Sequence, residues 1–206
     1  MTLEASWIRA NESRTARDVS VELFRDFVPV AAVPSAVIAQ HRNVVEPALV
    51  ELWEAHGFGL AANGFLRVVN PVQYSSLIGE FLPRPDMIPV LATALGDVVV
   101  FFDGRYRVLQ FRNARATGGV GSSLDMIGLF AAQESWLNRF MDYAPYAEAA
   151  EKYGALNSPA DVDEIYAPPL PLPAGGPEGV EHLTRFRIFE HIALTSQLAG
   201  PIPFAG

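Results

Sequence analysis

The sequence predicts an α+β protein with a mixed, mainly antiparallel sheet, flanking helices and two small subdomains that share an interface. Half of the 206 residues are hydrophobic and 18% are charged, so the chain can bury a sizeable core. Asp103-Gly104 separates two runs rich in β-branched and aromatic residues, 98–102 and 106–111, a pattern typical of an antiparallel hairpin. Segments with helical spacing of apolar residues lie on both sides of this hairpin without regular alternation, which indicates the α+β class.

Helix signals dominate the first half of the chain. Proline in a first turn and glycine after a last turn mark where a helix begins and ends, and asparagine before proline is a favoured N-cap. Gly64 marks a turn before a short run of apolar and β-branched residues. These signals predict helices over residues 19–28, 47–57 and 70–81, and a strand over residues 65–69.

The second half mixes strand and helix signals around a glycine-rich segment, 118–121, which we expect to be a flexible loop. After that loop, the signals predict a long helix over 123–142, a helix over 144–153 ended by Gly154, an edge strand or surface loop over the proline-rich stretch 165–173, and a strand that turns into a short helix over 186–198. We divide the chain into predicted domains at residues 1–87 and 88–206.

Composition narrows the classes of function. The formal net charge of −8 argues against direct binding to a nucleic-acid backbone, which requires clustered lysine and arginine, and instead favours basic partners. The chain has no cysteine, which excludes disulfides and thiolate chemistry. No apolar run approaches the roughly 20 residues of a membrane span, and charges interrupt the N-terminal segment where a signal peptide is apolar. We therefore expect a cytoplasmic protein.

No motif in the sequence indicates a reaction centre. The 118–121 segment lacks the Gly-Lys-Ser/Thr of a P-loop, and no Gly-x-Ser-x-Gly elbow is present, although a triad assembled from distant segments remains open. The histidines are not spaced three or four apart as ligands on one helix face: His41, His56, His182 and His191. We expect no enzymatic activity, catalytic residue, cofactor or metal.

Acidic residues are concentrated in one part of the chain, between positions 142 and 164, where Lys152 is the single basic residue. Charge complementarity accelerates encounter and sets specificity, so such a cluster is a candidate surface for a basic partner protein. An ordinary solvated helix face followed by an acidic loop is the alternative. The candidate partner-binding residues are Asp142, Glu148, Glu151, Asp161, Asp163 and Glu164.

Several stretches resemble known families. Residues 47–59, with a Pro-Leu-Trp helix and a Gly-Phe-Gly turn, and residues 63–74, with a Val-Asn-Pro strand end, are similar to the GAD-like domain. The second half is similar to the C-terminal domain of type VI secretion immunity proteins, on residues 92–97, 153–156, 165–168, 175–176, 190–191 and 197–201. The match spans roughly residues 23–201. It departs from the family at Leu95, where phenylalanine is usual, and in a shortened loop over 168–173.

The resemblance implies an immunity protein that binds and neutralises a cognate toxin, in the best-known case a DNase effector delivered by a type VI system, and it implies no catalytic residue. Occluding the basic, DNA-binding cleft of such a toxin is the expected mechanism. A domain that senses small molecules in a groove between the two halves is the alternative function. A hydrolase with an unrecognised site at Ser122, His182 and His191 is a third.

Overall fold

The computed structural model describes residues 26–82, 84–124, 127, 131, 133–200 and 202–203. The predicted helix over residues 19–28 lies mostly outside these residues. Its last residue, Val28, begins a strand instead, because Pro29 cannot donate the backbone hydrogen bond that a helix requires and is tolerated in an edge strand.

Seven antiparallel strands form the main sheet, and each pairs with the next in chain order. They are β1 (Val28–Ala31), β2 (Phe58–Ala61), β3 (Leu66–Val68), β4 (Ile88–Thr93), β5 (Val98–Phe102), β6 (Arg105–Gln110) and β7 (Arg115–Gly121). A second sheet pairs β8 (Glu164–Ala167) with β9 (Thr184–Arg187). Because β3 pairs with β4, strands from both predicted domains belong to one sheet; the division at residue 87 stays a prediction.

Six α-helices lie in the described part of the chain. They are α1 (Ser35–His41), α2 (Pro47–His56), α3 (Pro71–Phe81), α4 (Glu134–Met141), α5 (Ala144–Tyr153) and α6 (Ile188–Ala199). Together with the antiparallel sheets they confirm the predicted α+β class.

Helices cover both faces of the main sheet. Successive side chains of a strand point to opposite faces, and on β5 Val99 packs in one core cluster while Val98 and Val100 pack in another. The first cluster includes side chains of α2, α4 and α5, and the second includes side chains of α3 and α6. Burial on both faces explains why β5 is a continuous apolar run.

Short sequence patterns predicted the ends of several helices and strands correctly. Asp103 and Gly104 have φ values of 50° and 67° between β5 and β6, as a two-residue hairpin of the primed type requires. The Asn70 side chain accepts a hydrogen bond from the Val72 amide at 3.0 Å and caps α3. Gly57 and Gly154 end α2 and α5 with positive φ.

One predicted element in the second half was wrong and another is interrupted. The glycine-rich segment 118–121 is the end of β7, because its backbone pairs with β6. The helix predicted over residues 123–142 is not continuous: Gln133 has the extended values φ −109° and ψ 111°, and α4 begins after it. The first error arises because pairing with β6 outweighs the local preference of the glycines.

Candidate binding cleft

A cleft of about 450 Å³ lies between the first turns of α5 and the segment 168–183. Its floor includes Arg112 and Leu95, while Asp142 and Glu148 line it on the α5 side and Glu178 lines it on the opposite segment. We call this site the acidic cleft. Its volume lies in the range of small-ligand sites, and the cleft is open to solvent.

The residues at the floor of the acidic cleft lie in turns between strands and helices, which bring positions distant in sequence together. Arg112 lies in the 3-10 turn Phe111–Asn113 that follows β6, and Asp97 follows the turn after β4. Asp142 separates α4 from α5 in a left-handed conformation with φ 55°, which aspartate tolerates better than most residues. This conformation places the Asp142 carboxylate beside Arg112.

Arg112 joins two carboxylates. Its Nε donates to Oδ2 of Asp97 at 3.0 Å, and its Nη1 donates to Oδ2 of Asp142 at 2.8 Å. Asp97 is fully buried, whereas half of the Asp142 side chain is exposed. Within the described residues, Nη2 of Arg112 and Oδ1 of Asp97 are buried and have no hydrogen-bond partner.

Burial controls the titration of this group. It raises the pKa of Asp97 to about 6, although the charge of Arg112 opposes the shift. Burial also lowers the pKa of Arg112, but the charges of Asp97 and Asp142 outweigh that effect and the net shift is upward. Arg112 therefore stays cationic, and its charge is already matched by its two carboxylate partners.

The remaining charges at the cleft are negative. Glu148 on α5 and Glu178 on the facing segment are both exposed and both line the opening. With Asp97 and Asp142 they set four carboxylates against the one guanidinium of Arg112. The cleft is therefore suited to a cationic group.

The structure divides the six predicted partner-binding residues. Asp142 and Glu148 line the acidic cleft, while Glu151 lies one turn further along α5 and is exposed. The other three carboxylates have arginine partners: Asp161 and Glu164 bind Arg185 at 3.3 and 3.0 Å, and Asp163 lies 4.0 Å from Arg187. These three carboxylates share two arginines, so one negative charge of the group is left unmatched.

Sequence reasoning missed three residues of the site: Asp97, Arg112 and Glu178. Asp97 belongs to the 92–97 motif, but a buried aspartate 15 positions before its arginine partner leaves no local pattern. Glu178 lies in a loop rich in glycine and proline and reaches the cleft only through tertiary structure.

The histidines have separate environments. His41 is buried and its Nδ1 lies 2.8 Å from the carbonyl oxygen of Val37. His191 is buried beside Thr195, and burial lowers its pKa to about 4. His182 lies on the surface, 3.4 Å from Glu181. Within the part of the chain that the structure describes, no three histidine, aspartate or glutamate side chains are grouped to hold a metal ion.

The helices among the described residues are too short or too polar to span a bilayer.

Comparisons with known proteins gave one match to a domain family and one similar solved structure. Residues 18–113 match the GAD-like domain family, and the match extends past residue 87, through β6, to the end of the 3-10 turn Phe111–Asn113. The structure is similar to the crystal structure of Atu4351 from Agrobacterium tumefaciens, with a TM-score of 0.67 over 87% of this chain and 88% of that chain. The two sequences are 16% identical, so this similarity establishes the fold alone. No match was found among curated proteins.

Proposed function

We propose that this chain, which contains a GAD-like domain over residues 18–113, is a cytoplasmic immunity protein without catalytic activity. It binds and neutralises a cognate interbacterial toxin, a nuclease effector of a type VI or similar secretion system. The sequence resemblance of the second half to immunity proteins supports this proposal, and so does the net charge of −8.

The acidic cleft is the observation that carries the proposal. A nuclease binds the phosphate backbone through clustered lysine and arginine, so its active surface is basic. Glu148 and Glu178 line the opening from two different elements, and Asp142, which also lines it, accepts a hydrogen bond from Arg112. A protein that presents these carboxylates competes with DNA for the same basic side chains, by charge as well as by volume.

Coexpression tests the proposed function. The gene adjacent to that of this chain is expected to encode a toxin, and we expect cells that produce that toxin to survive only when this chain is coproduced. The purified pair is expected to elute as one complex that weakens as salt is added. Unprotected cells, together with separate elution of the two proteins, would reject the proposal.

A small-molecule sensor is the second candidate. The acidic cleft favours it because a volume of about 450 Å³ with Leu95, Leu172, Val180 and Leu183 in the wall is typical of ligand sites. A thermal-shift screen discriminates the two functions. Metabolites that raise the melting temperature, in the absence of any effect of the toxin, would favour the sensor.

A further inference from the structure

We propose that a second cavity, bounded by α1, α3 and the segment 84–88, binds a small uncharged molecule with an aromatic ring and one N–H or O–H donor. The donor forms a hydrogen bond to Nε2 of His41. The cavity has a volume of about 360 Å³, and we call it the His41 cavity. Its lining residues and those of the acidic cleft are different. The proposal therefore goes beyond the proposed function and does not depend on it.

Two contacts hold the ring of His41 in one orientation. His41 is the last residue of α1 and is 6% exposed. Its Nδ1 lies 2.8 Å from the carbonyl oxygen of Val37, one turn earlier in the helix. Because a carbonyl oxygen only accepts, Nδ1 carries the hydrogen, and the lone pair of the neutral ring lies on Nε2. The ring also meets Trp53 edge to face, with centroids 6.0 Å apart.

Nε2 of His41 is an acceptor that is open to a ligand. No hydrogen bond reaches it from the described residues, and it is not one of the unpartnered side-chain atoms that are closed to solvent. The opening that His41 lines is the His41 cavity. An acceptor on a largely buried side chain forms a stronger hydrogen bond than one in water, since the surrounding dielectric constant is lower.

The wall of the His41 cavity indicates an uncharged aromatic ligand. Ile78 and Met87 line it and are each 3% exposed. Apolar surface suits a ring, and the thioether of methionine contacts aromatic rings favourably. Arg84 also lines the cavity, but its Nε and Nη2 donate to the two carboxylate oxygens of Asp86, each at 3.1 Å. Since this ion pair matches the charge of Arg84, the cavity has no need of an anionic ligand.

Gly79 gives an independent observation. It lies inside α3 and lines the His41 cavity, although glycine destabilises the interior of a helix relative to alanine. A Cβ at this position would have no atom within 4 Å, so packing within the chain does not require glycine here. The missing side chain leaves open space beside α3 that a ligand can occupy.

The test uses two matched probes and the full chain. Indole carries a ring N–H donor, and N-methylindole has the same ring without the donor. In an NMR titration we expect indole to cause amide shifts at residues 75–79 and 87–88 that saturate below about 10 mM. N-methylindole is expected to bind at least about fivefold more weakly, because it leaves Nε2 without a partner.

The ¹⁵N resonances of the His41 ring test the hydrogen bond directly. We expect indole to shift the Nε2 resonance to lower frequency and to leave the Nδ1 resonance in place, whereas N-methylindole shifts neither. H41N retains a donor for the carbonyl of Val37 and removes Nε2, and we expect it to bind indole no more tightly than the unmodified chain binds N-methylindole. Bound indole with an unshifted Nε2 resonance would reject the assigned contact.

A second variant tests the location without changing His41. G79L is expected to fill the cavity and to weaken indole binding by about tenfold or more, with no loss of thermal stability. The control Q73L places the same side chain on an exposed position of α3 outside the cavity and is expected to leave binding unchanged.

Four outcomes would overturn the proposal: equal binding of the two probes, equal indole affinity of G79L and Q73L, no saturation below about 10 mM, or shifts confined to the acidic cleft. Benzoate that binds more tightly than indole would reject the uncharged class of ligand. None of these results alters the expected complex with a toxin, so the proposed function is tested separately.

Discussion

Nε of Arg112 donates to the fully buried carboxylate of Asp97 at 3.0 Å, and this pair fixes the floor of the acidic cleft. The same guanidinium reaches Asp142 at the junction of α4 and α5. Arg112 therefore holds together three segments that are distant in sequence: its own turn after β6, the turn after β4 and the junction of α4 with α5. Removing that arginine leaves an uncompensated buried charge, whereas removing Asp97 leaves Arg112 with an exposed partner.

The first prediction concerns this asymmetry. We expect R112M to lower the free energy of unfolding by about 3 kcal/mol or more, because it leaves Asp97 buried without its cation. D97N is expected to cost less, since Asp142 still compensates Arg112. Urea denaturation at neutral pH measures both. A smaller loss for R112M than for D97N would contradict the assigned roles.

The second prediction concerns pH, through Asp97 and His191. A Cβ at Gly96 would lie 3.3 Å from the His191 ring, so His191 packs against the residue that precedes Asp97. The pKa of Asp97 is raised from 3.8 to about 6, so its contribution to stability is present below pH 3.8 and is lost as pH rises through 6. The pKa of His191 is lowered from 6.5 to about 4, so acidification through that window destabilises the fold.

The two effects oppose each other between about pH 4 and 6, and each is on the order of 3 kcal/mol. Relative to the unmodified chain, D97N is expected to lose stability as pH falls, and H191Q to gain it. Denaturation curves at about pH 4.5 and at neutral pH measure both differences. Parallel pH profiles for all three proteins would show that neither group titrates as described.

The third prediction concerns Arg67, which is fully buried in β3. Its Nε donates to the carbonyl of Val162 at 3.0 Å and its Nη1 to that of Gly64 at 3.1 Å, so it ties the strand region to the segment before β8. R67M leaves these carbonyls without donors, and we expect a loss of about 3 kcal/mol or more. The control R185Q removes exposed ion pairs and is expected to cost less than about 1 kcal/mol. Similar losses for the two variants would refute a structural role for Arg67.

The fourth prediction compares two glycines at which an added methyl group would meet open space. At Gly104, with φ 67°, alanine is expected to destabilise by about 1 kcal/mol because of backbone strain. At Gly79, inside α3, alanine is expected to stabilise by about 0.5–1 kcal/mol. Thermal denaturation of each variant measures whether its stability rises or falls. Destabilisation by G79A would show that the helix does not have the described conformation.

Local chemistry explains which parts of the fold were predictable. The Asp103-Gly104 hairpin and the Asn70 cap are set by residues within a few positions of each other, and both were predicted from sequence. Segment 118–121 was not, because its strand conformation depends on pairing with β6 rather than on its glycines. The strand conformation of this segment is therefore determined by its hydrogen bonds to another strand and not by its own residues.

The candidate site was predictable only in part. The acidic composition indicated Asp142 and Glu148, which line the cleft, but it did not indicate which carboxylates form ion pairs with arginine. Arg185 lies more than 20 positions from Asp161 and Glu164, and only the pairing of β8 with β9 brings them together. The same limit applies to Glu178, which is 30 positions from Glu148 in the sequence.

Isothermal titration of this chain with the purified product of the adjacent gene tests the central claim most directly. We predict a complex of one toxin with one copy of this chain that abolishes the nuclease activity and weakens as salt screens the charges. E148Q/E178Q is expected to weaken the complex by about tenfold or more, and E151Q to leave it unchanged. Absence of heat and of inhibition at any protein concentration would contradict the claim that this chain acts by covering a basic partner.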